Sequence, residues 1–391
     1  MSYVLQFPPG LDAIGFLRTY WQRRPLVMRG ALPEFRSPLN PEELAGLACE
    51  PEVESRLVLE HDGDHPWEVR HGPFEDADFS ELPDSHWTLL VQDVDKFDPQ
   101  VLALLDTFRF IPDWRVDDIM ISYAADAGSV GPHVDDYDVF LIQAAGKRRW
   151  RIDPGPDPDL TSIPDLDLRI LQRFEAREEQ IMEPGDVLYL PPGIPHWGIA
   201  EGSCLTFSVG FRAAAWRELA ASWCDFAAER QLSIGRFRDQ ALTPQNDSAE
   251  ILPEVFDQVC EVLTQGLRDA SGRLLREWFG RFVTEQKENL QVFPTDGPLT
   301  PENLRSHIAN GGTLLRRGVS RMAFSRGEDV ESLLYANGDV YAIKSENSDF
   351  LVLITRERNL SRDMLEKWLE RTDCLDLLHH LYIDGNYELA I

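Results

Sequence analysis

The spacing of apolar residues over roughly the first hundred positions changes repeatedly between helical and extended patterns. Phe16, Leu17, Tyr20 and Trp21 recur at helical spacing, which is typical of the buried face of a helix. The pattern predicts helices over residues 15–22, 41–49 and 99–108, and strands over residues 26–28, 55–69 and 86–93. The N-terminal part therefore combines short helices with strands.

Between residues 118 and 211 the pattern is mostly that of β-strands. It predicts strands over residues 119–123, 137–143, 147–152, 180–182, 186–190 and 204–211. Ala144, Ala145 and Gly146 separate two of these strands and are typical of a hairpin turn. Many short strands interrupted by Pro and Gly favour a sandwich or a barrel.

Helical spacing returns after Arg212, where Trp216, Leu219, Trp223 and Phe226 form a first aromatic stripe. Such stripes are typical of a core or a dimer interface. Residues 293–299 indicate a linker. Beyond it the pattern predicts helices over 301–309 and 361–370, strands over 333–341 and 350–354, and a two-residue turn at Asn337-Gly338. Helices with a small hairpin favour a winged-helix-like module.

The composition is that of a soluble globular protein, with 43% hydrophobic and 27% charged residues among 391. The five cysteines are scattered without CxxC spacing, which argues against a disulfide scaffold or a zinc ribbon. An apolar run long enough to cross a membrane is absent from the sequence, and the N-terminus lacks the pattern of a secretory signal. We expect a cytoplasmic protein without a membrane partner.

The formal net charge is -29, from 38 basic and 67 acidic residues. Such a field repels nucleic acid and acidic membranes and attracts basic partners. The negative charge either steers basic partners towards the protein or belongs to a solvated surface adapted to salt. The sequence is compatible with both interpretations. Acidic residues outnumber basic ones in the C-terminal module too, so we do not expect it to read DNA.

Candidate metal ligands lie in two segments of the β-rich region. His133 and Asp135 are two residues apart, so on a strand both side chains would point to the same side. His196 ends the segment PGDVLYLPPGIPH, in which Pro and Gly rigidly present the imidazole. Two His and one carboxylate form the facial triad of non-haem Fe(II) oxygenases. Zinc hydrolysis could use the same ligands, but a Glu placed as general base is missing.

A 2-oxoglutarate cosubstrate would need a cation for its distal carboxylate. The segment Lys147-Arg148-Arg149-Trp150-Arg151 offers several, and alternation directs Arg148 to the side opposite Arg149. Arg suits a carboxylate because its planar fork binds two oxygens. We expect one of these arginines to point inward; the alternative is that all are surface charges.

These segments together resemble the JmjC-type ribosomal oxygenases, and most closely the bacterial branch that hydroxylates an arginine of the sixteenth large-subunit ribosomal protein. The resemblance is carried by residues 21–25 (WQRRP), 113–118 (DWRVDD), 131–139 (GPHVDDYDV), 147–151 (KRRWR), 183–196 (EPGDVLYLPPGIPH) and 208–212 (SVGFR). It covers the first 212 residues densely, whereas the rest matches mainly in order and length.

The resemblance implies an α+β fold with three parts: a double-stranded β-helix in residues 1–212, a helical dimerisation domain in 213–292 and a winged-helix-like domain in 293–391. It implies that His133, Asp135 and His196 bind iron. It also implies that Arg148 and Ser122 hold the distal end of 2-oxoglutarate. Tyr137 corresponds to a residue that lines the substrate pocket. Fe(II), 2-oxoglutarate and O₂ are the implied cofactors, and the implied reaction is hydroxylation at C-3 of an arginine.

Alternatives remain at this point. The same chemistry could act on a histidine or a methyl-lysine of another protein. A cupin-like metal-binding regulator without turnover would belong to a different class. Because the chain is so acidic, we expect a basic ribosomal protein to be modified before ribosome assembly, without direct contact to nucleic acid. Efficient turnover on intact large subunits would contradict that hypothesis.

Overall fold

The protein is described by a computed structural model that covers residues 3–61, 66–230, 253–268, 272–295, 299–327 and 331–390. The chain separates into two compact units, Met1–Ala213 and Ala214–Ile391. In the part of the chain that is described, no helix has both the length and the apolar character needed to cross a bilayer. The division into three domains expected from the sequence stays a prediction.

The first unit combines short helices with a large sheet. Its helices are α1 (Ala13–Thr19), α2 (Pro41–Ala48), α3 (Asp76–Ser80), α4 (Val94–Phe97) and α5 (Pro99–Leu104). Its strands are β1 (Leu26–Met28), β2 (Ser55–Glu60), β3 (Trp67–His71), β4 (Trp87–Val91), β5 (Val116–Ala124), β6 (Asp138–Ile152), β7 (Glu178–Met182), β8 (Val187–Leu190) and β9 (His196–Phe211). The helices and most of the strands predicted for this region are confirmed.

Two long antiparallel strands, β6 and β9, form the centre of the sheet. They pair from Asp138 opposite Phe211 to Ile152 opposite His196. The strand order is β1-β8-β6-β9-β5-β4-β2-β3, with β7 paired to β6 outside this path. The arrangement confirms the expected α+β fold with a double-stranded β-helix. Arg148 lies on β6 and His196 begins β9, so this pairing places both residues on neighbouring strands.

The hairpin predicted at residues 144–146 is wrong. The chain continues through them as the single strand β6, and both halves of that strand pair with β9 across a bulge. Gly146 has a φ of 63°, and a Cβ atom there would lie 2.1 Å from the carbonyl oxygen of Ser203. The glycine thus permits a bulge and a close approach of two backbones, which a local sequence pattern does not distinguish from a turn.

A buried carboxylate ties the N-terminal segment to the sheet. Asp138 is 0% exposed and accepts hydrogen bonds from the Tyr189 hydroxyl at 2.6 Å and from Nε2 of Gln22 at 3.0 Å. Arg115 lies 3.4 Å from the same carboxylate. Burial raises the pKa of Asp138, and these donors partly oppose the increase. The packing of Phe16 against the Tyr189 ring completes the junction, with centroids 4.9 Å apart.

The second unit contains seven helices among its described residues, α6 (Trp216–Glu229), α7 (Pro253–Arg268), α8 (Gly272–Thr284), α9 (Pro301–Ala309), α10 (Ser348–Arg356), α11 (Arg362–Leu369) and α12 (Thr372–Ile383). Its strands are β10 (Thr313–Arg316), β11 (Met322–Ser325), β12 (Glu331–Ala336), β13 (Asp339–Lys344), β14 (Asn359–Leu360) and β15 (Tyr387–Ala390). They form two small antiparallel sheets, β14-β10-β15 and β11-β12-β13.

The strand predicted over residues 350–354 is wrong, because these residues belong to helix α10. Phe350, Leu351 and Ile354 are buried at helical spacing, and a short apolar run cannot be assigned to helix or strand by periodicity. The turn at Asn337-Gly338 is confirmed, with φ values of 52° and 87°. Of the linker predicted at 293–299, residues 296–298 lie outside the described part.

Candidate metal and cosubstrate site

The three residues expected to bind a metal converge at one point. Ligand atoms of His133, Asp135 and His196 all lie within 4.8 Å of one another. Nε2 of His133 is 3.9 Å from Oδ1 of Asp135, and Nε2 of His196 is 3.6 Å from Oδ2. The two imidazole nitrogens therefore face one carboxylate across a gap the size of a metal ion.

The backbone holds the two histidines in register. His133 and His196 exchange both main-chain hydrogen bonds, at 3.0 and 2.9 Å, as an isolated antiparallel bridge. Asp135 lies outside any strand, so the expectation that a strand aligns it with His133 is wrong. Its position is fixed instead by the chain around it, where its carbonyl accepts from the amide of Gly193 at 2.9 Å.

The orientation of each ring is set by its other nitrogen. Nδ1 of His133 donates to the carbonyl of Gly131 at 3.0 Å, and Nδ1 of His196 donates to the carbonyl of Ile194 at 2.9 Å. A carbonyl only accepts, so the proton stays on Nδ1 and the lone pair of Nε2 faces the site. Such outer contacts are typical of metal-binding histidines.

Burial keeps His196 in its neutral form. The side chain is 2% exposed. Burial, followed by the proximity of His133, lowers the pKa of His196 to about 4. A neutral imidazole is the form that binds a metal ion, so His196 can bind one at neutral pH without first losing a proton.

Arg148 is a buried cation beside this site. It is 3% exposed and donates from Nη1 to the hydroxyls of Ser122 at 3.1 Å and Thr206 at 3.4 Å. It forms no ion pair with any described residue, and its buried Nε has no hydrogen-bond partner there. Burial lowers the pKa of Arg148, because the surroundings do not compensate its charge. A buried guanidinium without a counter-ion fits an anionic ligand.

The cavity between these groups has a volume of about 350 Å³. Arg148, Ser122 and Thr206 lie on its wall together with His133, Asp135 and His196. Ser122 on β5 is directly opposite Thr206 on β9, so the two hydroxyls that contact Arg148 come from adjacent strands. The cavity can therefore hold one small dianion between the metal ligands and the arginine.

Tyr137 lies on the wall of the same cavity and is 41% exposed. Burial of the rest of the side chain raises the pKa of its hydroxyl, and the carboxylates of Asp135, Asp118 and Asp117 raise it further. The hydroxyl thus remains a neutral donor and acceptor in negative surroundings. These surroundings favour a cationic side chain at this point of the cavity.

All six expected site residues therefore line one cavity. The sequence did not single out Thr206 or Arg56, which line it too. Their positions depend on how β9 and β2 pair with their neighbours, and local spacing does not reveal that pairing. For Thr206 the sequence does offer one signal, because Thr206 and Ser208 are two residues apart within an otherwise apolar strand.

Comparison with known families agrees with this geometry. Residues 103–219 match the family model described as "JmjC domain". Residues 265–388 match the one described as "ROXA-like winged helix". The first match contains the strands β5 to β9 and all the site residues except Arg56. The second contains α8 and most of the elements that follow it.

Similar proteins are known in bacteria. The chain is 40% identical over 325 residues to the ribosomal protein uL16 3-hydroxylase of Escherichia coli, over 83% of this chain and 84% of that protein. It is 43% identical over 331 residues to a "Probable ribosomal oxygenase" of Haemophilus influenzae, over 83% and 80% of the two chains.

A solved structure covers the same length. YcfD, a ribosomal oxygenase from Escherichia coli in complex with cobalt and 2-oxoglutarate, superposes with a TM-score of 0.85 at 36% identity over 99% of each chain. The fold, the length and the sequence thus agree across the whole chain. This protein belongs to the bacterial JmjC-type ribosomal oxygenases.

Proposed function

We propose that the protein uses Fe(II) and 2-oxoglutarate to hydroxylate an arginine, at C-3, of a large-subunit ribosomal protein. The observation that carries the proposal is Arg148. A buried cation without a counter-ion lies beside two histidines and a carboxylate arranged for one metal ion. A metal chelator with a second, distal carboxylate satisfies both features at once.

The geometry of the cavity supports a role for each site residue. His133, Asp135 and His196 would bind the iron. Arg148 would donate to the distal carboxylate of 2-oxoglutarate, and the hydroxyls of Ser122 and Thr206 keep its guanidinium in place. Iron and 2-oxoglutarate, when bound with O₂, supply the oxidation that replaces a C–H hydrogen by hydroxyl.

The surroundings of Tyr137 support a cationic target side chain. Its hydroxyl is near the carboxylates of Asp135, Asp118 and Asp117. A guanidinium that enters the cavity would meet a negative wall, and Tyr137 could accept a hydrogen bond from it. The protein's part in the reaction is to orient the target carbon and exclude water from it.

The ribosomal protein is suggested by the name of the Escherichia coli relative, a uL16 3-hydroxylase. The charge of -29 supports a basic partner, because it attracts a free ribosomal protein and repels ribosomal RNA. The proposed substrate is therefore the free protein before assembly, in the cytoplasm. Turnover on intact large subunits as fast as on the free protein would contradict this timing.

We also propose a homodimer, with residues 213–292 as the dimerisation domain and 293–391 as a winged-helix-like domain. Exposed apolar side chains on α6, α7 and α8 support the dimer, notably Trp216 at 86%, Phe256 at 61% and Leu275 at 49%. Changing Trp216 and Phe256 to Glu should yield a monomer in light scattering. An unchanged mass would contradict this interface.

Mass spectrometry of the reaction product tests the proposed function. The enzyme is incubated with Fe(II), ascorbate, 2-oxoglutarate and purified ribosomal proteins, and each is examined for one added oxygen. We expect a single arginine of one large-subunit protein to gain it, with succinate formed in equal amount. A modified histidine or a demethylated lysine would assign another substrate. If the protein binds the metal ion and forms no succinate, the result would favour a cupin-like regulator without turnover.

A further inference from the structure

Besides Arg148, the active-site cavity is lined by Arg56 and by the exposed Arg169. Arg56 on β2 is half-buried and lies on the cavity wall together with Arg148 and Tyr137. It is close enough to the hydroxyl of Tyr137 to lower its pKa, against the effect of the three nearby carboxylates. The proposed roles of iron, 2-oxoglutarate and the target arginine leave Arg56 without a function.

The register of the sheet explains why Arg56 faces the cavity. Arg56 is opposite Leu90 on β4, Leu90 is opposite Ser122 on β5, and Ser122 is opposite Thr206 on β9. Residues directly opposite one another in a sheet point to the same face. All four line the cavity. Arg56 thus lies two strands from Ser122, roughly 10 Å away across the sheet.

The guanidinium of Arg56 makes no hydrogen bond or ion pair with any residue that the structure describes. Two acidic side chains of this region have other partners. Asp167 is 3.5 Å from His71, the residue opposite Arg56 on β3, and Asp136 is 3.4 Å from Arg169. The guanidinium carries five N–H donors and accepts nothing, and with no partner among the described residues it is available to water or a ligand.

We propose that Arg56 binds main-chain carbonyl oxygens of the substrate polypeptide next to the target arginine. The inference rests on the proposed function. When a protein substrate covers the cavity it displaces the water around Arg56, and a donor left unsatisfied would weaken binding. The entering side chain is a cation and cannot be the acceptor. The nearest acceptors that every peptide carries are the carbonyls flanking that side chain.

This contact would also position the target. Arg148, whose guanidinium contacts Ser122 and Thr206, would fix the cosubstrate at that end of the row, and Arg56 would fix the peptide at the other. The distance between the two arginines is set by paired strands, which are rigid elements. Arg56 is therefore a positioning residue for the substrate backbone and reads no particular neighbouring side chain.

Peptide binding to the Arg56→Gln variant tests the inference. Calorimetry is done without oxygen on full-length enzyme loaded with Mn(II) and 2-oxoglutarate, using a peptide that spans the arginine modified by the wild type. We expect the Kd for the peptide to rise about tenfold or more, as for a lost hydrogen bond to a charged group. The Kd for 2-oxoglutarate should not change, and Arg56→Lys should recover part of the loss.

Arg70→Gln is the matched control. Arg70 is on the neighbouring strand β3, opposite Leu57, and therefore points to the other face of the sheet. It is paired with Glu68 at 2.6 Å. This variant should bind the peptide as the wild type does. Equal thermal unfolding of both variants and the wild type would show that the fold is intact.

Peptides in which one amide is replaced by an ester identify the acceptor, because an ester carbonyl is a weaker acceptor than an amide carbonyl. We expect one replacement beside the target to weaken binding to the wild type and not to weaken binding to Arg56→Gln any further. Additive losses at every position would overturn the inference, as would coupling to an acidic side chain of the peptide. A changed Kd for 2-oxoglutarate alone would assign Arg56 to the cosubstrate. A wild type that modifies no arginine overturns the proposed function, and this inference with it.

Discussion

The guanidinium of Arg148 lies 3.1 Å from the hydroxyl of Ser122 inside the cavity, and no carboxylate among the described residues neutralises it. The two residues belong to different strands, β6 and β5, with β9 between them. The sheet therefore places a cation where a small dianion can reach both it and the metal ligands.

Removing the charge of Arg148 should impair cosubstrate binding selectively. Arg148→Met should raise the Kd for 2-oxoglutarate about a hundredfold, since two charge-assisted hydrogen bonds are lost. Titration of the Mn(II)-loaded enzyme measures it. Arg149→Gln is the control, because Arg149 is the next residue on β6 and pairs with Glu179 and Glu201 at the surface. An equal loss of affinity for 2-oxoglutarate in both variants would contradict the role of Arg148 in binding the cosubstrate.

Removing a metal ligand should abolish metal binding without unfolding the protein. His196→Ala should weaken Co(II) binding by more than about a hundredfold, because losing even an outer contact of a ligand costs 10- to 100-fold. Calorimetry on the metal-free protein measures this. Asp136→Ala serves as control, since Asp136 adjoins Asp135 but is exposed and paired with Arg169. Wild-type affinity in His196→Ala would refute the metal site.

The bulge in β6 should depend on its glycine. Gly146→Ala should destabilise the protein by more than about 2 kcal/mol, because a left-handed backbone costs about 1–2 kcal/mol and the new Cβ would meet the Ser203 carbonyl. Gly202→Ala isolates the first contribution, since Gly202 has a φ of 70° and open space around it. Urea denaturation of both variants separates them. Equal losses would contradict the close backbone contact.

Ionisation of Asp138 should make stability depend on pH. Burial raises its pKa in the folded protein. The folded state therefore holds the proton over a pH range in which the unfolded state has lost it, and stability falls as pH rises through that range. Compared with Asp138→Asn, the metal-free wild type should lose stability from about pH 4 upward until the folded carboxyl is ionised. Denaturation of both proteins across pH measures the difference. If the difference in unfolding free energy between the two proteins stays constant with pH, or grows in favour of the wild type as pH rises, this expectation is contradicted.

Short-range patterns in the sequence predicted the elements that depend on local chemistry. The helix at 41–49 was predicted from its opening Pro41, and the turn at Asn337-Gly338 from its two residues. The candidate metal ligands His133, Asp135 and His196 could be selected because they stand in distinctive segments. Their mutual distances were not predictable from spacing, since the bridge between His133 and His196 joins residues far apart in the chain.

The wrong predictions concern residues whose secondary structure depends on tertiary contacts. Gly146 permits either a turn or a bulge, and the outcome depends on its contact with Ser203 in β9. The run at Phe350–Ile354 suits either a strand or a helix until its buried neighbours are known. Arg56 and Thr206 were not predicted as site residues, because only the strand pairing shows that they line the same cavity as Arg148.

The origin of the added oxygen tests the central claim most directly. The enzyme is given Fe(II), 2-oxoglutarate and the free ribosomal protein under O₂ enriched in a heavy oxygen isotope, and the modified arginine is analysed by tandem mass spectrometry. We predict that C-3 of that arginine carries the heavy isotope and that Arg148→Met lowers its yield. An arginine that stays unmodified, or one whose new oxygen comes from water, would contradict the account.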